Sequence, residues 1–315
     1  MSAFPLSAGA RNVLEPGVCR RASRQRRASR LAVLAVQALI DEANLTPKPA
    51  LVDRRGAGAH SDLTLALMHR SARSLFPCFQ AIATLSAGHV PGQRLRECLG
   101  AIGRTGESHM FAVTHGANSH KGAIWSLGLL VAGAVLGPDP SDPFAIASVA
   151  ASIARIPDSN SAPAATHGAL AQQMYRVSGA RGEAQQGFPC VMQAGYPALK
   201  SARLRGVPEK WARLDAFMAI MAQLDDTCLL HRGGLRALRA AQRGARCVLA
   251  EGGTWTSRGM AQLLELDAEL LKMNASPGGS ADLLAATLFL DSITLLHDVR
   301  CGARNPLGDP KLWKN

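Results

Sequence analysis

Aromatic residues are scarce in this chain, 4% of its 315 residues, and runs of β-branched residues are scarce as well. Those are the residue types that favour sheets, whereas the abundant alanine and leucine favour helices. No C-x-x-C pair occurs. The seven cysteines (Cys19, Cys78, Cys98, Cys190, Cys228, Cys247 and Cys301) stand singly and are odd in number. That spacing indicates neither a structural zinc site nor a disulfide framework and predicts reduced, mostly buried thiols in a reducing cytosol. The uncharged apolar stretch over residues 123–137 falls short of the ~20 residues a bilayer core requires, so it reads as a buried helix and not as a membrane span.

Acidic residues are almost missing from the first thirty positions, where Arg11, Arg20, Arg21, Arg24, Arg26, Arg27 and Arg30 face only Glu15. The region lacks the apolar core of a secretory signal. It shares the Arg- and Ser-rich composition of transit peptides but has no amphipathic apolar face before Leu31. It reads as a flexible basic arm of a cytoplasmic protein, and it supplies half of the formal net charge of +12. A basic excess calls for an anionic partner: nucleic acid, acidic lipid or a polyphosphate. The body beyond the arm is only mildly basic, which weakens a nucleic-acid reading and suits a pocket that accepts phosphates.

With 47% apolar and 18% charged residues the chain is globular in composition. The expected fold is all-α: a single large helical domain over 31–300, its active site lined by loops and helix N-termini, between the arm at 1–30 and a polar tail at 301–315. A split near 137–143 is the alternative.

Residues 114–137 organise the rest. A glycine-bearing turn with Asn118, Ser119, His120, Lys121 and Gly122 opens the apolar helix, presenting free backbone N–H groups and a lysine to an anion. The spacing is not that of the nucleoside-triphosphatase P-loop, and such an opening also serves as a packing or capping device. Upstream, an amphipathic helix over 31–43 ends before Thr46-Pro47-Lys48-Pro49. The polar loop that follows carries Asp53, His60 and Asp62 beside Lys48, Arg54 and Arg55, a set able to hold a magnesium–phosphate unit, with Ser61 or Asp62 capping the next helix.

Helix is predicted over 62–90 with a break at Phe76-Pro77, around 92–103, and at 144–155, 167–176, 208–224 and 235–250. Residues 107–115 are ambiguous, and Glu107 and His109 do not form the H-E-x-x-H zinc motif. Residues 178–189 read as a loop in which glycines flank Arg181 and Glu183, permitting close approach to a ligand or simply a surface ion pair. Asp225 and Asp226 stand together at the end of an apolar helix, where mutual repulsion and the helix dipole disfavour them unless a metal or arginines intervene. His231 and Arg232 then supply donors before Gly233-Gly234. A final helix opens at Pro277-Gly278-Gly279, with Ser280 as N-cap and Asp282 in its first turn.

Taken together, these stretches resemble the triphosphoribosyl-dephospho-CoA synthases. The motifs that carry the resemblance are Leu45-Thr46-Pro47-Lys48-Pro49 with Leu51-Val52-Asp53, Gly58-Ala59-His60-x-Asp62, Asn118-x-His120-Lys121-Gly122, Gly179-Ala180-Arg181-Gly182-Glu183, Asp226-Thr227 through Arg232-Gly233-Gly234, and Asn274-x-Ser276-Pro277-Gly278-Gly279-Ser280-Ala281-Asp282. Six in one order are specific. The forms around His115–Lys121, 182–189 and 225–232 look more like the branch that serves malonate decarboxylase than the one that serves citrate lyase.

The resemblance implies that ATP and 3′-dephospho-CoA give 2′-(5″-triphosphoribosyl)-3′-dephospho-CoA and adenine, a precursor passed toward the acyl-carrier subunit. It implies no membrane and no nucleic-acid partner, and leaves homo-oligomerisation open. Displacement at the anomeric carbon calls for carboxylates and acid–base groups, for which Asp53, Glu183, Asp225 and Asp226 are the catalytic candidates. Lys48, His60, Asn118, His120, Lys121, Gly122, Arg181, His231, Arg232, Asn274, Ser276, Gly278 and Gly279 are the substrate-binding candidates. Asp62, Asp226 and Asp282 are the candidates for holding Mg²⁺. Asp226→Asn is expected to abolish transfer without unfolding the protein. Two other readings compete: a helical protein that holds nucleic acid through its arginine arm, and a ribosyl hydrolase that releases adenine to water.

Overall fold

The computed structural model describes residues 16–139, 141–160 and 167–300. The first half of the arm expected at 1–30, and the tail expected at 301–315, lie outside the described residues. Among the described residues the chain is all-α, and its β pairing amounts to one isolated bridge between Asp53 and Gly56. The helices are α1 (Pro16–Asn44), α2 (Leu65–Ser74), α3 (Phe76–Ser86), α4 (Gln93–Val113), α5 (Lys121–Leu136), α6 (Pro143–Arg155), α7 (His167–Tyr175), α8 (Gly179–Gln185), a π-helical turn (Cys190–Gly195), α9 (Tyr196–Leu204), α10 (Glu209–Met221), α11 (Thr227–Ala250), α12 (Ser257–Lys272) and α13 (Gly278–Arg300).

α5 and α13 form the centre. α5 packs against α1, α3, α4, α6, α8 and α13, and α13 packs in turn against α1, α10, α11 and the π-helical turn. From Ala123 to Ala134 nearly every α5 side chain is buried. A helix apolar all round has no polar face to offer water, so other helices must enclose it. Close enclosure needs small residues: a Cβ at Gly133 would stand 2.4 Å from the Ile146 carbonyl oxygen of α6. α13 holds the one segment among the described residues that is long and apolar enough to cross a membrane, Gly278–Leu296, but 67% of it is buried among other helices. That is the signature of a core helix.

Several expected boundaries move, each for a local reason. α1 begins at Pro16, fifteen residues before Leu31, so its amphipathic part continues an Arg-rich helical stretch, and Arg27 donates to the Ala134 carbonyl at the end of α5. α4 runs on to Val113 and absorbs most of the ambiguous stretch at 107–115. Thr64 caps α2, its side chain accepting from Leu67 N–H, in place of Ser61 or Asp62. The break between α2 and α3 does fall at Leu75, before Pro77, which has no N–H to give. Residues 178–189 are not an open loop: α8 occupies most of them, with positive φ at Gly179, where it opens, and at Gly187 and Phe188 after it ends. Three glycines lower helix propensity there, but packing of α8 on α6 and α5 overrides it. Of the described cysteines, Cys78 and Cys190 are buried, Cys98 and Cys228 half-buried and Cys247 exposed, all as free thiols. The thiols are therefore less buried as a set than expected.

Candidate functional site

α10 ends at Met221, so Asp225 and Asp226 do not sit on its C-terminus. Asp226 is instead the N-cap of α11. One carboxylate oxygen accepts from Cys228 N–H at 2.9 Å and Leu229 N–H at 3.4 Å. It also accepts from Gly279 N–H at 3.2 Å, while the other oxygen takes Ser280 N–H at 2.8 Å and Ser280 Oγ–H at 2.9 Å. One side chain thus closes the N-termini of two helices, where its negative charge meets the positive ends of both dipoles. The conflict expected of a carboxylate at a helix C-terminus does not arise for Asp226, which stands at a helix N-terminus. Ser280 is a donor to Asp226 and not the cap of α13, which starts at Gly278. Burial pushes the Asp226 carboxyl up, against the five hydrogen bonds that pull it down. Asp225 is exposed.

α5 is closed in a related way. Asn118 Oδ1 accepts from Lys121 N–H at 3.2 Å, and Asp282, reaching across from α13, accepts from Ala123 N–H. Asp282 can approach because residue 122 is glycine: a Cβ there would stand 2.0 Å from Asp282 Oδ2. At Gly279 a Cβ would likewise meet Asp226 Oδ1 at 3.0 Å. The two glycine-rich openings expected to receive phosphates therefore receive protein carboxylates at their backbone N–H groups. Gly122→Ala is expected to lower stability by about 1–3 kcal/mol through that overlap. Urea unfolding measures it, and an unchanged midpoint would show that Asp282 swings away freely.

Around these two aspartates lies a buried polar cluster. Lys48 is 1% exposed and pairs with Glu42, 3% exposed, on α1. Nothing in the local sequence marks Glu42, which reads as one more polar position of an amphipathic helix. Asp282 is raised well above the usual carboxylate range by burial first, then by the charges of Glu42 and Asp226. His120 is also buried; its Nδ1 shares a hydrogen bond with Ser71 Oγ at 2.9 Å, and Nε2 has no partner. Burial and the charge of Lys48 push the ring down to about 3. The lowered value favours a neutral ring, so any contact of His120 with substrate would be a hydrogen bond and not an ion pair. Lys121 reaches Glu107 at 3.0 Å.

The Lys48–Asp62 loop adjoins this cluster. Asp53 is spent on the loop itself: its oxygens accept from Lys48 N–H at 2.9 Å and Arg55 N–H at 2.7 Å, and it pairs with the Arg55 guanidinium. Asp62 is exposed and lies 3.7 Å from His60 Nδ1. Arg232 spans to the same loop, donating to the Ala59 carbonyl at 2.9 Å and meeting His60 Nδ1 at 3.2 Å. Burial and then Arg232 hold His60 below its ordinary value. His231 is exposed on α11. Asn274, at φ +49, ends α12 in a left-handed turn, and Ala275 N–H closes back to the Leu270 carbonyl. Ser276 is buried, and a Cβ at Gly278 would meet Cys228 Sγ at 2.9 Å.

Two further expected site residues lie on α8. Glu183 on α8 accepts from Cys190 N–H at 2.7 Å and so caps the π-helical turn, with burial pushing its carboxyl up. Arg181 is exposed on the same helix.

Among the described residues no three His, Cys, Asp or Glu side chains form a ready metal cage. Mg²⁺ needs only one or two carboxylates when phosphate oxygens complete its shell. Of the three expected ligands, Asp62 is exposed at the loop and Asp226 has both oxygens committed to N–H and O–H donors. Asp282 has one such bond, and its surplus of neighbouring negative charge favours a cation.

Residues 28–300 match the family described as ATP:dephospho-CoA triphosphoribosyl transferase. The chain is 56% identical over 278 residues to a probable 2-(5″-triphosphoribosyl)-3′-dephosphocoenzyme-A synthase of Pseudomonas fluorescens, covering 88% of this chain and 95% of the relative. Proteins of the same name from Azotobacter vinelandii and Stutzerimonas stutzeri are 54% and 55% identical, covering 84% and 85% of this chain and 92% of each relative. No solved structure matches.

Proposed function

The chain belongs to the ATP:dephospho-CoA triphosphoribosyl transferase family and is a transferase, and we propose that it joins ATP to 3′-dephospho-CoA with release of adenine. In this reaction the 2′-oxygen of dephospho-CoA forms a bond to C1″ of the ATP ribose. The bond from C1″ to adenine breaks, the hydroxyl loses its proton, and adenine leaves with one. The triphosphate remains whole.

The observation that carries the reading is the meeting of stretches far apart in sequence: Glu42, Lys48, His120, Asp226 and Asp282 interact at the N-termini of α5, α11 and α13. Three carboxylates against one buried lysine suit a cation-bound polyphosphate better than a bare one. Asp282, beside Glu42, would hold Mg²⁺, which when bound neutralises phosphate charge. Lys121 and Arg232 flank the cluster as the phosphate-facing cations. Asp53 and Asp226 accept several hydrogen bonds from the protein, and we assign the acid–base role to Glu183, whose carboxyl burial pushes up.

The motif forms at 115–121, 182–189 and 225–232 favour delivery of the product toward the acyl-carrier subunit of malonate decarboxylase, in the cytoplasm. The test is adenine release from ATP with Mg²⁺, with and without 3′-dephospho-CoA, together with the mass of the CoA product. Release that requires dephospho-CoA, with the triphosphoribosyl mass gain, is expected. Equal release without dephospho-CoA would make the protein a hydrolase, and no release would overturn the assignment.

A further inference from the structure

A second basic cluster, outside the carboxylate site, lies where α4, α5, α8 and the segment after α6 meet. Arg96 on α4 is 8% exposed. Its guanidinium carbon lies 5.1 Å from the centre of the Trp125 ring, its Nη1 is 3.4 Å from Asp158 Oδ2, and its Nε has no hydrogen-bond partner. Asp158 also takes Arg104 Nη1 at 2.8 Å. Its carboxylate reaches the α4 backbone because residue 100 is glycine, where a Cβ would stand 2.0 Å from Asp158 Oδ2. Arg181 is near enough for its charge to lower the Arg96 pKa, after burial, the larger cause. Trp125 Nε1 donates to the Ala180 carbonyl at 3.1 Å, tying the turn that bears Arg181 to α5.

Arg96 and Arg104 share one carboxylate, Arg181 adds a third guanidinium near Arg96, and the most buried of the three has a donor left over. Buried polar groups are almost always paired, and an unpaired one costs free energy in the empty protein. The Trp125 ring lies against the Arg96 guanidinium, a cation–π contact that helps hold a fork able to bind phosphate at two points. Trp125 follows Lys121 by four residues, so the two share a face of α5 one turn apart. The cluster therefore borders the α5 opening.

We infer that Arg96, Arg104 and Arg181, with Arg96 braced on Trp125, form a diphosphate-binding subsite beside α5. It deepens the transferase reading and rests on that reading for the identity of the nucleotide, since both the ATP triphosphate and the diphosphate bridge of dephospho-CoA carry this chemistry.

The test is calorimetric titration of the full chain with inorganic diphosphate, comparing wild type with Arg181→Gln and Arg96→Lys. Each variant is expected to bind about tenfold more weakly or worse, the loss of one charge-assisted contact. Arg181 is exposed, so Arg181→Gln is expected to keep the wild-type unfolding midpoint and decides the matter if Arg96→Lys does not fold. Wild-type affinity in a folded Arg181→Gln protein would overturn the subsite. In turnover, a KM rise confined to ATP assigns the triphosphate and one confined to dephospho-CoA assigns the bridge, while no rise in either again overturns it. Because the titration needs no turnover, absent adenine release would sink the transferase reading and leave the subsite standing on its binding result.

Discussion

Replacing Asp226 by alanine is expected to lower the unfolding free energy by about 3–5 kcal/mol, because one carboxylate caps two helices and receives charge-assisted hydrogen bonds from both. Loss of a cap costs about 0.5–2 kcal/mol per helix, and leaving buried N–H groups without an acceptor adds to it. The orphaned donors would be those of Cys228, Gly279 and Ser280. Asp226→Asn keeps one acceptor oxygen but turns an NH₂ group toward N–H donors, so it too is expected to destabilise. The sequence motif alone led us to expect a variant that folds normally and fails to turn over. Urea unfolding with parallel activity measurement separates the two: a wild-type midpoint with abolished transfer would return Asp226 to the chemistry.

Acidification is expected to destabilise the protein through His120. In the unfolded chain a histidine titrates near 6.5, whereas the buried ring of the folded protein titrates at about 3. Between those values the unfolded state binds the proton and the folded state does not, so stability present above pH 6.5 is lost as pH falls, by about 1.4 kcal/mol per pH unit. At pH 5 the loss from this group is about 2 kcal/mol. Asp226, Asp282 and Glu183 act oppositely: their raised values make the folded state take up protons first, so their contribution falls as pH rises through the carboxylate range. Comparing wild type with His120→Gln at pH 7 and pH 5 isolates the histidine, since the carboxylates are common to both proteins. The gap between the two stability curves should narrow by about 2 kcal/mol at the lower pH. Parallel curves would mean that the ring is charged, or solvated, in the folded state.

These two residues show how far motifs could be read. Asp226 and His120 were identified as important by the company they keep in the chain, and both lie in the cluster. Their hydrogen-bond partners and burial were not legible because each depends on residues distant in sequence. The acceptors of Gly279 and Ser280 N–H lie more than fifty residues upstream, and the burial that neutralises His120 is set by Ser71, Lys48 and the helices around them. The reading of 178–189 as a loop erred in the same direction, since local glycines argued against a helix that packing on α6 holds in place.

The sequence by itself determined the all-α class, the central apolar helix with its glycine-bearing opening, the break at Pro77, and, through six ordered motifs, the family. Such features are local: helix propensity, periodicity and a short motif are all written in neighbouring residues. Only the tertiary structure decided which carboxylates are spent on caps, that Glu42 belongs beside Lys48, and that Arg96 and Arg104 meet at Asp158. Desolvation and charge coupling are properties of what lies within a few ångströms, and in this fold those neighbours come from helices far apart in the chain.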